Sequence, residues 1–233
     1  MKTLIAVLLF SLFSSAQAGE NEIRKSLQSK FPGIGKIEHI VKTPYSGMYE
    51  VIIDDQLLYT DAQGDYLFEG NIIEAKSHRD LSGERRRVLF AIDFDKLPLE
   101  LALKKVKGNG KRKLAIFTDP NCGFCRKLEK ELSRVSDVTL YFFMYPIFPG
   151  SDEIVRNVLC SKNPIKAWDD WMLSEITPAQ AVCDTQTEKV KALGQKLHVN
   201  GTPNLIFGNG IQAPGYLPAE ELEKNLNQVS AQK

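Results

Sequence analysis

Two cysteines three positions apart, Cys122 and Cys125, with Gly123 and Phe124 between them, constrain this chain more than any other feature. They follow residues 113–118 (KLAIFT), a short apolar run with the composition of a β-strand. After them Phe124, Leu128, Leu132 and Val135 recur at the spacing of one helix face. Cys122 therefore falls at a helix N-terminus, where unpaired N–H groups and the helix dipole favour a thiolate, the attacking species in disulfide exchange. A thiol in such a setting has its pKa lowered into the range of about 3.5–7.5. Cys125 lies one turn further on the same side, within reach for a disulfide. A three-residue loop restrains the unfolded chain little, so this pair is a redox centre rather than a staple. Zinc is the other use of the spacing, but it calls for a second close pair of Cys or His. Cys160 and Cys183 are far apart, and His39, His78 and His198 are scattered, so no metal site is expected.

The first 18 residues read as a secretory leader. Lys2 is the charged end, residues 3–13 an apolar core too short to span a bilayer, and Ala16-Gln17-Ala18 a small-residue cleavage site. Removing them leaves 29 basic and 29 acidic side chains, without the basic footprint of a nucleic-acid binder. Export places the chain in an oxidising compartment where disulfides persist. Four cysteines are too few to build the fold, so a core drawn from the 43% apolar residues must do so. Residues 81–113 hold ten Lys/Arg against four Asp/Glu, read as solvated surface.

The chain is expected to be an α+β protein. A short helix over 20–30 precedes period-two runs at 36–41, 48–53, 56–60, 66–68 and 71–74, separated by turn signals. This is a small antiparallel β unit, 19–76, with a limited core and open edges, served either by pairing with a second copy or by docking on the rest of its own chain. Residues 77–112 read as a charged, partly helical linker, with a helix expected over 99–106 after Pro98. The unit 113–233 runs strand, helix, strand at 138–144, a helical stretch over about 151–182 broken at Pro164 and Pro178, a helix over 187–197, a strand at 204–207 and a last helix opened by Pro218.

The run Phe117-Thr118-Asp119-Pro120-Asn121-Cys122-Gly123-Phe124-Cys125, the later Cys160 and Cys183, and Gly201-Thr202-Pro203-Asn204-Leu205 together resemble the DsbC family of disulfide isomerases. The order of leader, β unit, linker and catalytic unit resembles it as well. The resemblance implies a C-terminal thioredoxin-like α/β domain with a helical insertion and an N-terminal β domain that joins two copies into a homodimer. It implies a periplasmic location and chaperone activity. Its partners would be misfolded exported proteins with non-native disulfides and a membrane reductant of the DsbD type. No cofactor is implied.

By the same resemblance Cys122 is the nucleophile, Cys125 resolves mixed disulfides, and Gly123 and Phe124 tune the redox poise. Thr202 and Pro203 form the substrate-binding cis-proline loop. Cys160 and Cys183 form a structural disulfide, the alternative being a second redox pair. Thioredoxin's buried acid falls here on Ile116. Asp119 is left as either a local proton acceptor or a turn former. Glu129 and Glu131 are expected to be solvated, and Trp168 and Trp171 to be core. The rival activities are a DsbA-like thiol oxidase and a holdase without essential redox chemistry.

Overall fold

The computed structural model describes the backbone of residues 11–230 and the side chains of 19–228. The expected leader, 1–18, lies outside these residues, apart from the backbone of 11–18. The chain divides at Phe90 into two compact units.

In the first unit, helix α1 (Ser11–Lys30) ends in a turn at Gly33. Strands β1 (Ile37–Lys42), β2 (Tyr49–Ile53), β3 (Gln56–Thr60) and β4 (Leu67–Phe68) follow, antiparallel and in spatial order β1-β2-β3-β4. Asp54 and Asp55 both take positive φ, the conformation a tight two-residue hairpin requires between β2 and β3. One sheet face supplies Ile37, Ile40, Val51 and Ile53, which pack with Ile23 and Leu27 of α1. On the same strand Glu50 is buried; it accepts bidentate hydrogen bonds from Arg85 at 2.6 and 2.9 Å and contacts His39 at 3.0 Å. Arg85 lies on α2 (Leu81–Leu89), capped by Asp80, whose carboxylate accepts from Gly83 N at 2.8 Å. Ser82 of the same helix meets Tyr59 Oη at 2.6 Å.

Three expectations change. Residues 71–74 form no strand, only a single bridge between Ile73 and Asp80. The expected linker, 77–112, is not a separate segment. Its first part, with α2, is fastened to the first sheet by Ser82 and Arg85, and residues 91–112 belong to the second unit. The helix expected over 99–106 is a 3₁₀ turn, Leu99–Leu101, followed by strand β5 (Leu103–Lys107). The alternation of Leu103, Lys105 and Lys107 (part-buried) with Lys104 and Val106 (exposed) fits an edge strand, and pairing with a neighbour overrides the weak helical pattern.

The second sheet adds β6 (Arg112–Thr118), β7 (Val138–Met144), β8 (Asn204–Phe207) and β9 (Gln212–Pro214), in the order β5-β7-β6-β8-β9. β6 and β7 are parallel, joined through α3 (Gly123–Leu132); the other pairs are antiparallel. Both faces are covered. Leu114, Ile116, Leu140 and Phe142 face α3, α4 (Ser151–Leu159), α5 (Pro164–Ser174) and α7 (Ala219–Ser230). Ala115, Phe117, Tyr141 and Phe143 face Phe94 and the helix α6 (Thr187–Lys196). On α6 a Cβ at Gly194 would stand 2.5 Å from the Tyr145 ring, so the close approach of helix and sheet needs glycine there.

The helical stretch expected over 151–182 stops at Ser174. Glu175 turns left-handed, its N–H bonding Trp171 O, and Pro178 follows. Cys160, at the end of α4, is disulfide-bonded to Cys183, 23 positions on, across a Cα–Cα distance of 5.6 Å.

Candidate active site

The parallel β6–β7 pair delivers the chain from the centre of the sheet straight into α3. Cys122 is the residue that caps α3, with extended backbone, and its carbonyl accepts the first helical bond from Arg126 N at 3.1 Å. Cys125 lies one turn inside, on the buried face with Leu128 and Leu132. Both thiols are free. Cys122 keeps 5% of its surface and Cys125 1%. Cys122 is more covered than a bare helix mouth, because the loop carrying Thr202 lies over it: its Sγ donates to Thr202 O at 3.2 Å, and the Thr202–Pro203 peptide is cis.

The two sulfurs are pushed in opposite directions. The Cys125 thiol, donating to the neighbouring sulfur, lowers the Cys122 pKa from 9.0 to about 5 against the opposing effect of burial. The Thr202 side chain and the N–H groups of Cys125 and Phe124 add to it. While Cys122 is protonated the Thr202 hydroxyl is buried without a partner; an anionic sulfur gives it an acceptor. Burial, and then the Cys122 sulfur, push Cys125 far up, so it holds its proton. Gly123 is uncrowded: a Cβ there would meet nothing within 4 Å. Phe124 is 57% exposed, with Lys127 Nζ over its ring at 5.1 Å. Alongside Thr202 and Pro203 runs a groove of about 410 Å³, lined also by His198, Asn200, Gln212 and Gly215.

Of the other residues, some stand as expected and some do not. Asp119 is fully buried and accepts from Asn121 N, which makes it a turn former, but it also takes bonds from the segment after β7. Glu129 is not solvated. It lies on the face of Cys125 and Leu128 and is 4% exposed, and burial pushes its carboxyl up to about 7 while Trp168 Nε1 donates to it at 2.8 Å. Its place four residues after Cys125 on one helix was the available signal. Glu131 accepts from Ala219 N at 3.0 Å, capping α7, and from Tyr216 Oη. Trp168 is core; Trp171 is half-buried and donates to Pro120 O at 2.9 Å, steadying the turn before Cys122. Among the described residues no cluster of three or more His, Cys, Asp or Glu is placed to hold a metal.

Residues 99–230 match the thioredoxin-like domain family, and residues 14–83 match the disulfide bond isomerase protein N-terminal domain. The probable thiol:disulfide interchange protein DsbC of Bordetella parapertussis is 41% identical over 216 residues, covering 91% of this chain and 77% of that one. The chain belongs to the DsbC family. The thiol:disulfide interchange protein DsbC of Escherichia coli K12 is 27% identical over 95% of this chain and 94% of its own. A crystal structure of a disulfide interchange protein from Neisseria gonorrhoeae superposes with a TM-score of 0.55 at 39% identity, over 57% of this chain and 97% of that one. As a DsbC-family member the chain is a thiol:disulfide interchange protein, a disulfide isomerase oxidoreductase of α+β fold with a thioredoxin-like second unit.

Proposed function

We propose that Cys122 carries the exchange and Cys125 completes it. The observation that supports this most is the opposed perturbation of two neighbouring thiols, one held as an anion at a helix mouth and one held protonated beneath it. The Cys122 thiolate attacks one sulfur of a substrate disulfide, forming a mixed disulfide and releasing the other sulfur as a thiolate. In isomerisation a substrate thiolate then attacks the mixed disulfide and expels Cys122 again as an anion, so no net electrons move. In reduction Cys125 gives up its proton and attacks Cys122 Sγ; the substrate leaves as a thiolate, and the enzyme is left with the Cys122–Cys125 disulfide. That form must be re-reduced by a dithiol donor, and a membrane reductant of the DsbD type fits the role.

Thr202 and Pro203 line the groove beside the sulfur, and Thr202 supplies backbone groups for an extended substrate segment. Gly123 and Phe124 set the poise through the first turn of the helix. The Cys160–Cys183 disulfide is structural, holding the end of α4 to the segment before α6. The substrates are exported proteins with wrong disulfides, met in the periplasm after removal of residues 1–18. The first unit joins two copies; Tyr66, Phe68 and Ile73 are exposed apolar residues on and beside its edge strand β4, and support this use. Such a dimer would also hold unfolded chains.

Refolding of a protein with scrambled disulfides tests the assignment. Cys122→Ser is expected to abolish isomerase activity and Cys125→Ser to leave a measurable part. Full activity in Cys122→Ser would point to a holdase and end the proposal.

A further inference from the structure

The Asp119 carboxylate is fully buried three residues before Cys122, and four donors from three parts of the chain converge on it. Oδ1 accepts from Asn121 N at 2.7 Å, in the turn that leads to Cys122, and from Ser151 Oγ at 2.6 Å, at the start of α4. Oδ2 accepts from Ile147 N at 2.7 Å and Phe148 N at 3.0 Å, in the loop after β7. The two segments are tied once more, by Asn121 Nδ2 donating to Pro149 O at 3.2 Å. Asp119 also meets the redox pair through its main chain: its carbonyl accepts from Cys122 N at 3.2 Å, and its backbone hydrogen-bonds the Cys125 thiol. The loop held in this way spends its N–H groups on the carboxylate and turns two large apolar side chains to solvent, Ile147 at 45% and Phe148 at 44% exposure. Phe124, inside the reactive motif, is exposed as well.

We propose that Asp119 is a positioning residue for exchange on protein substrates: it locks the Cys122 turn and the 146–149 loop into one body, so that Ile147 and Phe148 seat an apolar side chain flanking the substrate cystine. The occupant is an unfolded segment of the substrate polypeptide. The chemistry that brings a cystine to Cys122 brings its neighbouring residues to this loop, and neighbours normally buried in a native core are apolar. This rests on the assignment of Cys122 as the reacting sulfur. A carboxylate suits the clamp because both oxygens must accept. An amide of the same shape has one accepting oxygen, so its NH₂ faces either Ile147 N and Phe148 N or Asn121 N, and one segment is released whichever way it turns.

The test compares wild type, Asp119→Asn, the double variant Ile147→Ser/Phe148→Ser, and all three changes combined. Each is assayed with scrambled ribonuclease and with Ellman's reagent, a small disulfide that carries no polypeptide. The readout is the ratio of kcat/KM for the protein to the rate constant for the small disulfide. The serine double variant is expected to lower this ratio at least fivefold, through KM. Asp119→Asn should lower it similarly, and the combined variant should fall less than twofold below the worse of the two, because both act on one seat. A merely structural carboxylate would depress both substrates together and leave the ratio alone. The proposal is overturned by a ratio within twofold of wild type in either Asp119→Asn or the serine double variant, or by effects that multiply in the combined one. Should Asp119→Asn fail to fold, the double variant decides alone. A wild-type Cys122 unreactive toward Ellman's reagent would instead remove the exchange assignment, and that arm tells the two failures apart.

Discussion

The strongest consequence of the site is the pH dependence of Cys122 alkylation. The perturbation is pH, applied to the reduced protein in the presence of iodoacetamide. Cys160 and Cys183 are bonded to each other and Cys125 is held protonated, so one adduct reports on one sulfur. With a pKa of about 5 in place of 9.0, Cys122 at pH 6 is ~90% thiolate against ~0.1% for an ordinary thiol, a ratio of roughly 900. A less basic thiolate is a weaker nucleophile: at a Brønsted slope of about 0.45, four pKa units cost a factor of roughly 60. The net expectation is alkylation about 15 times faster than that of an unperturbed thiol at pH 6, shrinking to roughly twofold at pH 7. The absolute rate at neutrality therefore discriminates poorly, and the midpoint decides. Mass spectrometry of the adduct from pH 3 to 10 should give a rate that rises through about 5 and then stays flat. A midpoint at or above about 8 would refute the argument that the helix mouth, Thr202 and Cys125 hold an anion. The linkage has a definite sign. A depressed folded pKa stabilises the folded dithiol form, fully above the unfolded value of 9.0, and that stability is lost as pH falls through about 5.

Three further outcomes are expected. Replacing Cys160 and Cys183 by Ala removes a cross-link over 23 positions and should cost about 3 kcal/mol in the chain-entropy account, read from denaturant midpoints, with Cys122 alkylation kept in the folded variant. Loss of that reactivity while the protein stays folded would contradict a structural role. Glu129→Gln keeps an acceptor for Trp168 Nε1 but cannot ionise. Because the folded pKa of Glu129 is raised to about 7 from 4.5, wild type loses stability as pH rises through this window. The variant should gain on it by an amount that grows between pH 5 and 8 and approaches about 3 kcal/mol; a gap that does not change with pH would count against the burial argument. Arg85→Ala leaves the buried Glu50 with His39 alone and should destabilise the first unit by about 2 kcal/mol in urea. This is set below the figure for a fully buried pair because the Arg85 side chain keeps 40% of its surface in water, and no measurable change would argue that the pair is idle.

The reactive segment was legible because each of its signals is local. An apolar run, two cysteines and a 3.6-residue stripe are contiguous, and β6 and α3 stand where residues 113–118 and 124–135 placed them, α3 ending three residues earlier, at Leu132. The strand at 204–207 is equally local, its four residues all buried. What escaped depends on distant partners. Residues 103–107 become a strand only because β7 offers an edge, which no window around Pro98 reveals. Glu129 looked solvated from its charge, yet its helical phase matches Cys125 and Leu132, and phase outranked composition. The four donors to Asp119 come from as far as Ser151, so the sequence alone left its role open. The nearness of Thr202 to Cys122, 80 positions apart, could be anticipated from family likeness but not from spacing.

Strand β5 ends the second sheet, and three of its five residues are lysines. Lys105 is paired with Asp169, and Lys107 Nζ donates to the carbonyls of Leu132 and Ser133 at the end of α3, while Lys104 stands out in water. A margin charged in this way is a poor template for another backbone. Toward the unfolded substrate segments proposed above, with their unpaired amides, such a margin offers no register to pair with.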